Sequence, residues 1–193
     1  MSKALSDNSG KVETERLLLR AYQAGDGAML YAAGLRNQDH LSEFESGNVL
    51  MSLKDEKHAE AVVRELGEKW AACECFFIGL FEKTTNKWVG RVYVGPTDWE
   101  LPEFTLGYVA DVHHEGKGYI SEAVRRVLKM LFEDLDAHRV CSGCDENNLR
   151  SVNVLERCGF RREAHLRENK RNTDGSYHGD YLYAMLRQEY FPR

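Results

Sequence analysis

Two glycines stand between a strand pattern and a helix pattern, and this segment constrains the fold more than any other. Residues 104–112 are typical of a β-strand, and residues 118–135 carry apolar side chains at helical spacing. Gly116-Lys117-Gly118 separates the two patterns. A strand that runs through a glycine turn into a helix exposes several main-chain N–H groups at the positive end of the helix dipole.

Such a turn suits a phosphate or pyrophosphate group, because glycines let an anion approach the main chain closely. A tight turn with no ligand is the alternative interpretation. The segment lacks the lysine-containing motif of a nucleotide-binding P-loop and the third glycine of the dinucleotide fingerprint. The sequence therefore points to a phosphate-bearing ligand of another class.

The rest of the chain alternates between strand and helix patterns in an order typical of an α/β or α+β domain. Strands are predicted at residues 16–22, 76–81, 88–94, 104–112, 139–143, 161–166 and 177–186, and helices at residues 28–36, 54–72, 118–135 and 149–158. Residues 37–52 favour no element, and Asp26 is placed to cap the first helix. We expect one mixed, mostly antiparallel sheet of about six to seven strands flanked by helices. It forms a single domain, residues 13–193, after a flexible tail, residues 1–12.

The composition argues against several classes of protein. A net charge of −5 disfavours nucleic-acid binding, which relies on clustered Lys and Arg. No apolar run approaches the ~18–20 residues that span a bilayer, and the first residues lack the apolar core of a secretory signal. Five cysteines without such a signal predict reduced thiols and a cytoplasmic protein. Cys73, Cys75, Cys141 and Cys144 could together supply four zinc ligands, but residues 139–144 have a strand pattern in which Cys141 and Cys144 point to opposite faces, so no metal site is expected.

A second informative segment lies at residues 145–160. Its asparagines can cap the helix pattern that follows, and Gly159 can end that helix. Together with residues 116–123, the patterns Asn148-x-x-Ser151 and Cys158-Gly159-Phe160 resemble the GNAT acetyltransferase superfamily. The resemblance is nearest to the branch of ribosomal-protein alanine and serine N-acetyltransferases, and it extends over nearly the whole chain.

The resemblance implies acetyl-CoA as the cosubstrate, with no metal. In proteins similar to this one, the pyrophosphate lies on the glycine loop and the pantetheine arm bonds to the preceding strand like an added strand. The residues so implied are Tyr108, Val109 and Ala110 on the strand, Asn148 beside the neighbouring strand, and the loop residues Glu115, Gly116, Lys117, Gly118, Tyr119, Ile120 and Ser121.

The catalytic groups follow less directly from the resemblance. Many GNAT enzymes place a tyrosine, the general acid, at the position that Leu155 occupies here. The nearer branch uses a serine instead, which makes Ser151 the expected acid, although this serine can also serve only the first turn of its helix. The glutamate base of that branch falls on Lys170. Nearby carboxylates can replace it or can be ordinary solvated groups; they are Glu168, Glu103 and Asp180.

The resemblance favours the N-terminal α-amine of a protein or peptide as the acceptor. A small-molecule amine, such as a polyamine, antibiotic or amino acid, is the alternative within the enzyme class. The loops at residues 37–52 and 96–103 would decide between them, and they carry both aromatic and acidic side chains. A non-catalytic acyl-CoA-binding sensor is the alternative from another class. Exposed sheet edges are compatible with a homodimer, and no nucleic-acid or membrane partner is expected.

Overall fold

The structure is a computed structural model that describes residues 11–45, 47–172 and 174–191. Its centre is one eight-stranded sheet in the order β1-β2-β3-β4-β5-β6-β8-β7. The strands are β1 (Lys11–Glu13), β2 (Leu17–Ala21), β3 (Phe76–Glu82), β4 (Trp88–Asp98), β5 (Glu103–Ala110), β6 (Arg139–Asp145), β7 (Arg161–Arg171) and β8 (Tyr177–Leu186). Neighbouring strands in the described part of the chain run antiparallel, except β5 and β6, which run parallel.

Helices cover both faces of this sheet. They are α1 (Gly27–Phe44), α2 (Glu56–Ala71), α3 (Tyr119–Lys129), α4 (Leu149–Arg157) and α5 (Arg187–Tyr190), with 3-10 turns at Val49–Ser52 and Val112–His114 and a π-helical turn at Met130–Asp134. Successive strand residues point to opposite faces, so Leu80 joins the core under α3 while Phe81 joins the core under α1 and α2. No helix in the described ranges has the length and apolar character needed to cross a membrane.

The predicted mixed α/β architecture is confirmed, with one strand more than expected. The additional strand is β1, which has only three residues and is too short to show a period. It begins at Lys11, inside the range predicted as a tail. The first ten residues of that tail lie outside the described residues.

Helix α1 is longer than its sequence pattern indicates. The pattern predicts an end at Arg36, but the helix continues to Phe44. Asn37 is fully buried in its middle, and its Oδ1 accepts a hydrogen bond from Val112 N at 2.8 Å. A tertiary contact thus stabilises a segment whose composition disfavours a helix. Asp26 occupies the predicted N-cap position, but its carboxylate makes no capping hydrogen bond and instead accepts hydrogen bonds from the Arg20 guanidinium at 2.6 and 3.0 Å.

The sheet opens between β5 and β6, and this opening places the candidate site. The two strands pair only along Glu103–Thr105, which face residues 139–141. Beyond that point β5 stays paired with β4 as far as Ala110, while β6 stays paired with β8 as far as Asp145. The second half of β5 therefore presents main-chain N–H and C=O groups that no neighbouring strand uses on the β6 side.

Candidate active site

A cavity of about 530 Å³ lies where β5 and β6 diverge. The end of β5 forms one wall, the loop between β5 and α3 forms its floor, and α4 forms the opposite wall. Among the residues predicted to bind the cofactor, the cavity is lined by Tyr108, Val109, Ala110, Glu115, Gly116, Gly118, Tyr119, Ile120, Ser121 and Asn148. A strand edge and a helix N-terminus thus meet in one cleft, which can hold an extended ligand that ends in phosphate groups.

The glycine loop adopts a conformation that requires its glycines. Gly116 has φ +72°, and Gly118, the N-cap of α3, has φ +77°. Both values lie in the left-handed region, which costs an L-residue with a side chain about 1–2 kcal/mol. The turn therefore exposes the first N–H groups of α3 toward the cavity without a side chain in the way.

Contacts from the start of the chain fix this loop in place. The Glu122 carboxylate in the first turn of α3 accepts hydrogen bonds from Thr14 Oγ1, Arg16 N and Arg16 Nε at 2.5, 2.9 and 2.7 Å. Arg16 also donates to the main-chain oxygen of Lys117 at 2.9 Å. Lys117 was also predicted to bind the cofactor, but it does not line the cavity. Its contact in the loop is the hydrogen bond that its carbonyl group accepts from Arg16.

Asp111 fixes the other end of the loop. Its side chain is fully buried, and it accepts hydrogen bonds from Arg36 Nε at 2.8 Å, His113 N at 3.0 Å and Asn37 Nδ2 at 3.4 Å. Its Oδ1 also lies 3.1 Å from His114 Nδ1. Burial alone would raise the pKa of this carboxyl, but the hydrogen bonds from Arg36, His114 and His113 outweigh it and hold the pKa below its ordinary value.

The mouth of the cavity is rich in groups that suit an anionic ligand. Arg150 and Arg157 line it, together with His40. Arg150 and His40 both contact the Glu115 carboxylate, at 2.6 and 3.1 Å. An incoming phosphate group can replace this carboxylate as the partner of the exposed Arg150 guanidinium.

Tyr108 and Ser151 form a hydrogen-bonded pair at the inner end of the cavity. The Tyr108 hydroxyl lies 2.8 Å from Ser151 Oγ and donates to the Ser151 carbonyl at 3.0 Å. Burial raises the pKa of Tyr108 well above its ordinary value. Asn148 caps α4 and accepts a hydrogen bond from Ser151 N at 3.0 Å, which confirms the predicted cap and sets the serine at the start of the helix.

A second pocket of about 300 Å³ adjoins the cavity on the far side of this pair. Glu45, Tyr108, Asn148 and Ser151 line both spaces, so these four residues mark the junction between them. The rest of the second pocket is lined by Phe44, Gly107, Ser142, Gly143, Cys144, Asp145, Lys170, Asp180 and Leu182. We call this second space the acceptor pocket.

The structure does not bring two of the three predicted bases to the junction. Glu103 begins β5, at the opposite end of the strand from the loop, where its carboxylate lies 3.3 Å from Arg139. Glu168 is exposed at an irregular position of β7 with φ +53°. Neither residue lines the cavity or the acceptor pocket, whereas Asp180 lines the acceptor pocket and pairs with Lys170 at 2.9 Å.

Sequence reasoning missed two groups at the junction. It assigned Tyr108 a main-chain role only, although the tyrosine hydroxyl lies beside Ser151. It counted Glu45 among the loop acids that either line a pocket for a cation or are ordinary exposed groups, and gave it no catalytic role. The only sequence signal for either residue was chemical type, because Glu45 directly follows α1 and no fixed spacing relates the end of that helix to β5.

The structure predicts a specific effect for Gly116→Ala. The substitution puts a methyl group at a position with φ +72° that borders the cavity. We expect it to cost about 1 kcal/mol of unfolding free energy and to weaken acetyl-CoA binding about tenfold. Gly25→Ala is the matched control, since Gly25 has φ +96° and equally open surroundings but lies outside the cavity. Titration calorimetry and urea unfolding of both variants test this, and equal acetyl-CoA affinities would contradict it.

Comparison with known proteins agrees with this geometry. Residues 16–161 match the family model described as Acetyltransferase (GNAT) domain. The chain is 33% identical over 176 residues to "Putative ribosomal N-acetyltransferase YdaF" of Bacillus subtilis (strain 168), covering 91% of this chain and 94% of that protein. It is 22% identical over 188 residues to "[Ribosomal protein uS5]-alanine N-acetyltransferase" of Escherichia coli (strain K12), covering 94% and 93%. A solved structure of RimL, the "Ribosomal L7/L12 alpha-N-protein acetyltransferase", in complex with coenzyme A superimposes with a TM-score of 0.81 at 18% identity, covering 91% of this chain and 97% of that one.

Proposed function

The chain belongs to the GNAT acetyltransferase family, and on that premise we propose that it acetylates the N-terminal α-amine of a protein or peptide. It is an acetyl-CoA-dependent N-acetyltransferase. The observation that carries the proposal is the acceptor pocket, which joins the cavity at Tyr108 and Ser151 and contains the carboxylates of Glu45 and Asp180. The Glu45 carboxylate suits an ammonium group, whereas Asp180 already pairs with the Lys170 ammonium at 2.9 Å. The relatives named above that act on ribosomal proteins support a polypeptide acceptor.

The cavity fits acetyl-CoA in an orientation that its two ends determine. Main-chain N–H groups of the loop and the start of α3 suit the pyrophosphate, with Arg150 and Arg157 nearby. The main chain of Tyr108, Val109 and Ala110 lacks a β6 partner and suits the amide groups of the pantetheine arm. This orientation puts the thioester at the junction, where the acceptor pocket begins.

An α-amine is chemically well matched to a site of this kind. Its ordinary pKa is about 7.7–8.0, whereas that of a lysine side chain is about 10.4, so far less free energy is needed to remove its proton at neutral pH. A thioester is already activated, and holding the neutral amine against it supplies much of the rate. The proposal places the reaction in the cytoplasm, consistent with five cysteines that are free thiols.

The Tyr108–Ser151 pair is placed to protonate the departing sulfur. Attack of the amine nitrogen on the carbonyl carbon breaks the C–S bond and leaves a thiolate, whose ordinary pKa is about 8.5. Because burial raises the pKa of Tyr108, the pair does not release a proton outright. It accepts a proton from the attacking nitrogen as it donates one to the sulfur, so the pair ends the step with the protons it began with.

A panel of acceptors tests the proposed substrate class. Purified protein is incubated with acetyl-CoA and one acceptor, and free CoA is followed with a thiol reagent. We expect peptides that begin with Ala, Ser or Met to give kcat/KM values about 100-fold above those of spermidine, aminoglycosides and free amino acids. The same peptides with a blocked N-terminus are the matched controls. Preference for a small amine would overturn the α-amine proposal and leave the enzyme class unchanged.

A further inference from the structure

Glu45 stands at the junction of the cavity and the acceptor pocket. It ends α1, it is half-buried, and it lines both the cavity and the acceptor pocket beside Tyr108 and Ser151. It is the acidic side chain that the two spaces share, since Glu115 lines only the cavity and Asp180 only the acceptor pocket. A carboxylate at this junction adjoins the place where the acceptor nitrogen must approach the thioester.

A chain of hydrogen bonds orients this carboxyl group. Asn48 Nδ2 donates to Glu45 Oε2 at 2.7 Å, and Asn48 Oδ1 accepts from Arg91 Nη2 at 2.8 Å. Arg91 is only 4% exposed, so its guanidinium is a buried positive charge next to Asn48. The other oxygen of Glu45, Oε1, accepts no hydrogen bond from any residue in the described ranges. One carboxylate oxygen is thus held while the other is available to a ligand.

The surroundings of Glu45 raise the pKa of its carboxyl group. Burial raises the pKa of its carboxyl group above the ordinary value, and Asn48, Arg91 and His40 oppose that increase. The other titratable or charged groups that line the two spaces are Tyr108 on β5, His114 and Glu115 in the loop, Tyr119 on α3, Arg150 and Arg157 on α4, and Cys144, Asp145, Lys170 and Asp180 across the acceptor pocket. A carboxyl group with a raised pKa takes a proton more readily than an ordinary glutamate.

We propose that Glu45 is the general base, binding the acceptor as an ammonium ion at the junction and taking one of its protons, with Asn48 and Arg91 as positioning residues. This inference rests on the proposed function only in that an amine is acetylated. It assigns the base that Lys170 cannot supply and that Glu103 and Glu168 are too remote to supply.

In the proposed step, Glu45 takes one nitrogen proton and the departing thiolate receives another. The carboxylate of Glu45 takes one proton from the ammonium ion, which leaves a neutral amine and a carboxylic acid. The nitrogen lone pair forms the C–N bond and the C–S bond breaks. The second nitrogen proton passes through Tyr108 and Ser151 to the thiolate, so the products are the amide and the CoA thiol. Glu45 then returns its proton to solvent.

The test compares Glu45→Gln with Glu43→Gln in the full-length protein. The Gln oxygen can still accept the hydrogen bond from Asn48, so Glu45→Gln removes the charge and the basic oxygen and keeps the shape. Glu43 is an exposed acid on the same helix and lines neither space, which makes it the matched control. The assay uses the acceptor on which the wild-type enzyme is fastest, whether peptide or small amine.

For Glu45→Gln we expect kcat/KM to fall about 100-fold at pH 7, with acetyl-CoA affinity and Tm close to those of the wild type. In the wild type, kcat/KM falls at low pH as the Glu45 carboxyl group becomes protonated. In the variant, this acid limb of the pH profile moves up to the pKa of the amine itself, about 7.7–8.0 for an α-amine. The deficit therefore narrows above pH ~8. Glu43→Gln should match the wild type at every pH.

Two results would overturn the base assignment. One is a Glu45→Gln enzyme within threefold of the wild type at pH 7, or with an acid limb that does not move. The other is a parallel loss of Tm and acetyl-CoA affinity, which would make Glu45 a structural partner of Asn48. The α-amine proposal fails separately, if the fastest acceptor is not a peptide, because the comparison of variants does not depend on that result.

Discussion

Asp111→Ala is expected to lose about 3–5 kcal/mol of unfolding free energy and most of the affinity for acetyl-CoA. The substitution leaves the Arg36 guanidinium and the buried Asn37 amide without a carboxylate that both now contact. It also removes the acceptor for His113 N, which holds the loop at the end of β5. The loop whose N–H groups suit the pyrophosphate then loses the contact that fixes its entry. Urea unfolding and titration calorimetry measure the two losses.

The matched control for this prediction is Asp26→Ala. Asp26 also pairs with an arginine through two hydrogen bonds, but it stands at the start of α1 and borders no part of the cavity. It should lose stability without losing acetyl-CoA affinity. If Asp111→Ala bound acetyl-CoA as well as Asp26→Ala does, the loop would not depend on Asp111.

The lowered pKa of Asp111 makes the free energy of unfolding depend on pH. Its folded-state pKa lies below its ordinary value of about 3.9, so the group stabilises the fold above that pH. This contribution is lost as the pH falls through the folded-state pKa. The difference in unfolding free energy between the wild type and Asp111→Asn should therefore shrink below pH ~4. A difference that grows with acidity would contradict the assigned direction.

Replacing the hydroxyl pair is expected to give the largest loss of turnover. Tyr108→Phe and Ser151→Ala each remove one member of a pair whose oxygens lie 2.8 Å apart. We expect each variant to lose about 100-fold in kcat, and the double variant to lose little more than either single variant. The effects should not add, because a proton relay fails when either group is missing. Acetyl-CoA affinity should stay within about threefold, since main-chain groups provide the contacts on β5.

Two distant variants control for the chemical change itself. Tyr177→Phe and Ser42→Ala remove the same hydroxyl groups at exposed positions outside both spaces and should keep wild-type kcat. Fully additive losses for Tyr108→Phe and Ser151→Ala would mean that the two hydroxyls act independently. An unchanged kcat in Ser151→Ala would remove the serine from the mechanism.

The parts of the fold that follow a period could be predicted from the sequence. The apolar spacing of α3 reflects burial on one face of the helix, and the apolar runs of β3 and β4 reflect burial on both faces of the sheet. The end of α1 could not be predicted in this way. Asn37 disfavours a helix by its local chemistry, and the contact that outweighs this preference comes from Val112. A contact between residues so far apart in sequence cannot be predicted from the residues that neighbour Asn37.

The candidate site also has a part that a local sequence pattern predicts and a part that depends on contacts between distant segments. The glycine loop is a local feature, so the loop residues that line the cavity could be identified from one segment. The base could not, because carboxylates near a motif in sequence can be distant in space. Glu103 lies seven residues before Ala110 on an extended strand that rises about 3.3 Å per residue, so it is roughly 20 Å from the loop. Glu45 reaches the junction from α1, through packing that no spacing rule encodes.

The most direct test of the central claim is to locate the acetyl group on a peptide that offers two amines. A peptide with a free N-terminal alanine and an internal lysine is incubated with the enzyme and isotopically labelled acetyl-CoA, and tandem mass spectrometry assigns the label. The account predicts label on the α-nitrogen alone, with none on the same peptide when its N-terminus is blocked. Label on the lysine side chain, or no peptide label under conditions in which a small amine is acetylated, would contradict it.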